Sequence, residues 1–191
     1  MRRQTLRIAF AVAAVLTAVT SQAQTVISNE TLVSTTFVVS KDIVTAKCFR
    51  AYCHAKANIL SGIQVACPAA IGQTCTFQIS LDTKASVGLP CPNGCSGAAP
   101  TSFFQFLVDG AAPTIGPTNE DGNYIFATNV RTQVPGSSRQ SYPATVLAGV
   151  TNSTSNNHTI AFGLGCRDDL DYGGCQTTSY WSTMRVDVFE P

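Results

Sequence analysis

Catalysis in this chain would have to begin with a positioned base, and the histidine supply is limited to His54 and His158. His158 stands in Asn157-His158-Thr159 at the foot of a strand pattern and reads as solvated, while His54 alternates onto a polar face beside Lys56. Neither is accompanied by a G-x-S-x-G, H-E-x-x-H or Gly-rich phosphate motif, so hydrolase and nucleotide chemistry lack their parts. The one acid–base couple that can be drawn is His158 with Asp168. The expectation is therefore a protein without catalytic activity.

Carboxylates and aromatics offer binding chemistry instead. Asp168, Asp169 and Asp171 lie between Cys166 and Cys175, in a loop that a disulfide would hold rigid, and rigid oxygen-rich loops are what calcium selects. The competing reading is a solvated acidic turn, so no cofactor is expected beyond this calcium alternative. Asn119, Glu120, Asp121 and Asn123 form a second oxygen-rich stretch, explained by turn geometry around Gly122. Trp181 is the only tryptophan and stands beside Tyr180 and near Tyr172, the ingredients of a glycan site in which rings stack on sugar faces. Core packing is the alternative for Trp181.

Eight cysteines, Cys48, Cys53, Cys67, Cys75, Cys91, Cys95, Cys166 and Cys175, fall into four near-neighbour couples. Pairing within each couple would close a small loop and lock a turn, although eight cysteines allow 105 connectivities. Cys67 with Cys75 and Cys166 with Cys175 flank turns, and Cys91-Pro92-Asn93-Gly94-Cys95 suits a tight loop. Cys48 with Cys53 fits least well, because five residues along one strand put the sulfurs on opposite faces. A zinc site using Cys91, Cys95 and His54 is disfavoured by the redox compartment described next.

Arg2, Arg3 and Arg7 precede an apolar run from Ile8 to Val19, and Ser21 and Ala23 supply small residues at a cleavage point. This is the pattern of a signal peptide over residues 1–23, which implies a secreted or periplasmic protein. The general secretory route is favoured over twin-arginine export. Removing that leader takes three arginines and no acid, leaving nine basic residues against eleven acidic ones, a net charge of −2. Such a balance disfavours nucleic-acid partners, and no further apolar run is long enough for a membrane span. Asn29-Glu30-Thr31, Asn152-Ser153-Thr154 and Asn157-His158-Thr159 fit the glycosylation pattern.

The elements that must position these residues read as strands. Cys75, Phe77, Ile79 and Leu81 alternate with Thr76, Gln78, Ser80 and Asp82. Ile160, Phe162, Leu164 and Cys166 alternate with small residues, and Met184, Val186 and Val188 oppose Arg185 and Asp187. Further strands are expected at 31–39, 103–108, 123–129 and 142–150, the second and third of these forming a hairpin with a long loop. Alternation from Asp42 to Leu60 favours a single strand there, despite Ala and Lys residues that suit a helix. The fold class is all-β, a single antiparallel β-sandwich of jelly-roll type over residues 24–191, stapled by several disulfides.

The stretches Ser141-Tyr142-Pro143-Ala144-Thr145, Asn157-His158-Thr159-Ile160-Ala161-Phe162 and Trp181 to Val188 resemble the closing strands of tumour-necrosis-factor-like and complement-type jelly-roll domains. The resemblance covers about the last 50 residues and implies a homotrimer that binds through its loops. The chain departs from that pattern in its cysteines and in having no collagen-like stalk. The resulting expectation is a secreted binding or structural module with a glycan or protein ligand.

Overall fold

In the computed structural model, which describes residues 30–49, 53–88, 101–115, 118–119, 122–127, 139–168 and 174–191, the alternating segments become nine strands and no helix. They are β1 (Thr31–Ser40), β2 (Val44–Cys48), β3 (Cys53–Ala66), β4 (Thr74–Gly88), β5 (Thr101–Val108), β6 (Asn123–Ala127), β7 (Gln140–Thr151), β8 (Asn157–Asp168) and β9 (Cys175–Glu190). Sheet A runs β1-β9-β4-β7, with β2 also on β9 beyond the end of β1, and sheet B runs β3-β8-β5-β6. Every pairing is antiparallel.

Counting β1 and β2 as one interrupted strand makes the topology plain. First pairs with last, second with seventh, third with sixth and fourth with fifth, which is one long hairpin. Rolling that hairpin brings β9 against β4 and β8 against β5, and the result is a jelly roll. The inward sides meet in one apolar core: Phe77, Ile79, Val146, Met184 and Val186 from sheet A, against Phe104, Phe106, Ile160, Phe162 and Leu164 from sheet B. The Phe162 ring lies 5.5 Å from Phe104 and 5.6 Å from Phe106, within the range of favourable aromatic pairing.

The expected single strand over 42–60 is two strands in different sheets. β2 pairs with β9 in sheet A and β3 pairs with β8 in sheet B, so the chain changes sheets between Cys48 and Cys53. Inward parity changes with it, from the even residue Ala46 to the odd residues Cys53 and Ile59. The geometric objection to a Cys48–Cys53 bond disappears, and that bond is present. Cys67–Cys75 and Cys166–Cys175 are bonded as well. Each of the three joins successive strands across a sheet-to-sheet crossover: β2 to β3, β3 to β4, and β8 to β9. Cys91 and Cys95 lie outside the described residues, as do residues 1–23, for which a signal peptide is expected.

One glycine position shows how sheet B closes its outer side. A Cβ on Gly165 would stand 2.3 Å from the Phe103 ring and 2.7 Å from the Ala55 carbonyl oxygen. Gly165 thus lets Phe103 lie across β8, where it is buried with Lys56 Nζ 6.0 Å above its ring.

Candidate functional site

Along β9 the pairing with β4 slips by one residue at the step Lys84/Ala85, so that Lys84 faces Trp181 and Ala85 faces Ser179. Tyr180 is the extra residue of this β-bulge, a device that re-aims side chains. Its ring sits 3.9 Å from the Arg139 guanidinium carbon, and its hydroxyl shares a 3.2 Å hydrogen bond with Ser86 Oγ. Trp181 next to it turns to solvent and is 36% exposed, which settles its side chain on the surface of the sandwich.

Register extends Trp181 into a face. Thr183 and Arg185 continue its row on β9, and across from them on β1 stand Val39, 43% exposed, and Phe37, 63% exposed. On the other flank β4 presents Lys84, Asp82 and Ser80, and β7 follows with Ser141, Pro143 and Thr145. Ser141 Oγ donates a short hydrogen bond to Asp82 Oδ1. Arg185 Nε donates to Asp187 Oδ1 at 2.9 Å, and the same oxygen accepts from Thr35 Oγ1 at 2.6 Å. Among the described residues, the outer side of sheet A therefore carries Trp181, Val39 and Phe37 interleaved with Thr183 and Arg185 on the β1/β9 flank, and mainly hydroxyl or charged groups on the β4/β7 flank. Such a surface offers a ring face beside hydrogen-bonding groups of both kinds.

The other candidates sit elsewhere. Asp168 ends β8 and is buried, with its Oδ2 accepting a 2.8 Å hydrogen bond from the Gly174 amide. Its side chain ties the end of β8 to the residue preceding β9 rather than facing solvent. Asp169, Asp171 and Tyr172 lie outside the described residues, and so do Glu120 and Asp121. Among the described residues, the sulfurs of Cys48, Cys166 and Cys175 form the one cluster of metal-ligating atoms, and all three are held in disulfides.

His158 corrects its sequence reading in two ways. It is buried rather than solvated, packing edge-on against Phe77 with ring centroids 5.8 Å apart. It also begins β8 whereas Asp168 ends it, so the two are at opposite poles. Its partners are Asp109, whose Oδ2 is 2.7 Å from Nδ1, and Asn152, whose Oδ1 is 2.9 Å from Nε2. Asn152 Nδ2 donates to the carbonyl oxygens of Cys67 and Ala69. This array ties three connections together at one pole. Partial burial pushes the Asp109 carboxyl up, but the Thr159 amide and the adjacent His158 outweigh that and hold it below its ordinary value. Asn152 is fully buried with its amide occupied, so its sequon is closed to glycosylation in the folded protein.

Phe37, Val39, Asp82 and Lys84 were not singled out by sequence. Phe37-Val38-Val39 is apolar on both strand faces, so alternation could not say which side met water.

The fold and this face together define an all-β jelly roll with an open, aromatic-bearing sheet. No family profile matches the chain and no curated protein matches it. Among solved structures it is similar to a chain from the structure of the infectious bursal disease virus Gx strain, at 6% identity and a TM-score of 0.24, over 84% of this chain and 42% of that one. The chain thus spans less than half of that chain's length.

Proposed function

We infer that the protein is a secreted, disulfide-stabilised jelly-roll module that binds rather than catalyses, and that its ligand is a glycan taken on the outer side of sheet A around Trp181. The carrying observation is Trp181 itself, exposed on the sheet's solvent side instead of packed in the core, with Val39 diagonal to it on β1 and Phe37 next along that strand face. Soluble proteins rarely leave contiguous apolar groups uncovered without use. The neighbouring Asp82, Lys84 and Arg185 argue for a hydroxylated ligand, because charged residues are depleted from the centres of protein–protein interfaces. Three crossover disulfides and the leader-like sequence support residence in an oxidising compartment.

The test is a glycan array probed with the oxidised protein and with Trp181→Ala. Binding that the substitution abolishes supports the reading, and no binding by the wild type removes it. The tumour-necrosis-factor-like resemblance adds a competing occupant, a second copy of the chain. Sedimentation velocity separates the two, since a trimer dispersed by Phe37→Glu assigns the apolar flank to self-association.

A further inference from the structure

Two of the disulfides touch. Cys48 Sγ lies 3.3 Å from Cys175 Sγ, although each is bonded to a different cysteine, and Cys166 Sγ is within 4.8 Å of both. The contact follows from register, because Cys48 and Cys175 are directly opposed on β2 and β9. Opposed antiparallel residues have Cα atoms about 4.5 or 5.5 Å apart, inside the roughly 4.4–6.8 Å range that a disulfide spans. A Cys48–Cys175 bond therefore needs no movement of the sheet. Both existing bonds are inter-sheet staples, whereas that one would be a rung within sheet A.

We propose that Cys48, Cys53, Cys166 and Cys175 form a thiol–disulfide exchange site in which reducing one staple opens both. Cys48 is the only one of the four that is not fully buried, so it is where a low-molecular-weight thiol enters. A thiolate bonds to Cys48 Sγ, and the electron pair of the Cys48–Cys53 bond leaves on Cys53. A second thiolate takes up the first thiol's sulfur, giving a small-molecule disulfide and releasing Cys48 as thiolate. Cys48 then bonds to Cys175 Sγ, and the pair of the Cys166–Cys175 bond leaves on Cys166. Two small thiols are oxidised to one disulfide and two protein sulfurs are reduced. The product carries Cys48–Cys175 with free thiols at Cys53 and Cys166. The surviving bond joins residues 127 apart in sequence, in place of separations of 5 and 9, so the exchanged form closes a far longer loop in the unfolded chain.

The variant Cys53→Ala leaves Cys48 without its partner and tests the central step directly. Alkylation with iodoacetamide followed by non-reducing peptide mapping is expected to put most of the label on Cys166 and to recover a Cys48–Cys175 linkage. Label on Cys48 with Cys166–Cys175 intact overturns the proposal. Cys166→Ala is the mirror case, with label expected on Cys53. Wild-type protein under limiting glutathione needs no variant to fold. Its two-electron-reduced form should carry label on Cys53 and Cys166 together, and label on Cys48 with Cys53, or on Cys166 with Cys175, overturns it.

Discussion

Replacing Asn152 by alanine removes three hydrogen bonds from a fully buried position. Its Nδ2 donates to the carbonyls of Cys67 and Ala69, and its Oδ1 meets His158 Nε2 at 2.9 Å. Each buried group left without a partner costs about 1–3 kcal/mol, but the three share one small space that water can enter, so they do not add fully. The expected loss is about 2–4 kcal/mol, a large part of a typical domain's stability. Urea unfolding of the oxidised protein should show it as a lower midpoint at unchanged slope. Asn152→Asp provides the sharper comparison, since it puts an oxygen against the two carbonyls and should cost at least as much as alanine. His158→Ala combined with Asn152→Ala should cost less than the sum of the two. A loss below about 1 kcal/mol for alanine, or an aspartate variant as stable as the wild type, refutes the account of this array as a clasp.

Other substitutions report on other parts of the fold. Trp181→Ala and Phe37→Ala touch exposed positions and should change stability by no more than about 0.5 kcal/mol while removing ligand binding, as urea midpoints and array signal will show. Gly165→Ala should cost about 1–3 kcal/mol in the same unfolding assay, because the added methyl meets the Phe103 ring, and Phe103→Ala should recover part of it. The Asp109 carboxyl is held below its ordinary value, so its contribution is fully present above the unfolded-state value and is lost as acid carries the pH down through the folded one. Stability measured from pH 6 downward should therefore fall below about pH 4, and Asp109→Asn should flatten that fall. Asparagine also suits the left-handed backbone at this position, where φ is 51°.

Much of the architecture was legible because burial leaves a period-two trace. β4, β8 and the second half of β9 are flanked on their inner side by a continuous apolar layer, so Phe77, Ile79, Phe162 and Val186 announce themselves in sequence. Where the chain passes between sheets the trace misleads. Alternation before Cys48 and after Cys53 belongs to different sheets, and a two-sheet crossover looks in sequence like an uninterrupted strand. His158 was misread for a related reason. Its surroundings are polar in sequence, but Asp109 and Asn152 arrive from 49 and 6 residues away and supply the partners that allow burial. Trp181 was legible as a candidate, whereas the face around it was not, since which side of β1 meets water depends on the strand's pairing with β9.

The interior of the sandwich also explains where the sulfur bridges gather. Toward the pole where β9 begins, beside the small apolar Ala85 and Val87, the buried inward positions include Thr83, Ser102, Thr177, Ser179 and Ser182. They satisfy one another: Ser102 Oγ and Thr177 Oγ1 are 2.7 Å apart, Thr83 Oγ1 donates to Ser182 Oγ at 3.1 Å, and Ser179 and Ser182 share a hydrogen bond of 3.1 Å. Hydrogen bonds of this kind contribute about 0.5–1.5 kcal/mol each, against about 1.5–3 kcal/mol for burying a Leu or Phe side chain. Apolar cohesion between the sheets is thus weakest at this pole, and it is here that two inter-sheet disulfides stand in contact. The opposite pole, with Phe77 and Val188 in the core and the His158 array above them, is served by Cys67–Cys75. Among the described residues, covalent links are concentrated where side-chain packing holds the sheets least, and so reduction at that pole should loosen the sandwich there before it affects the rest.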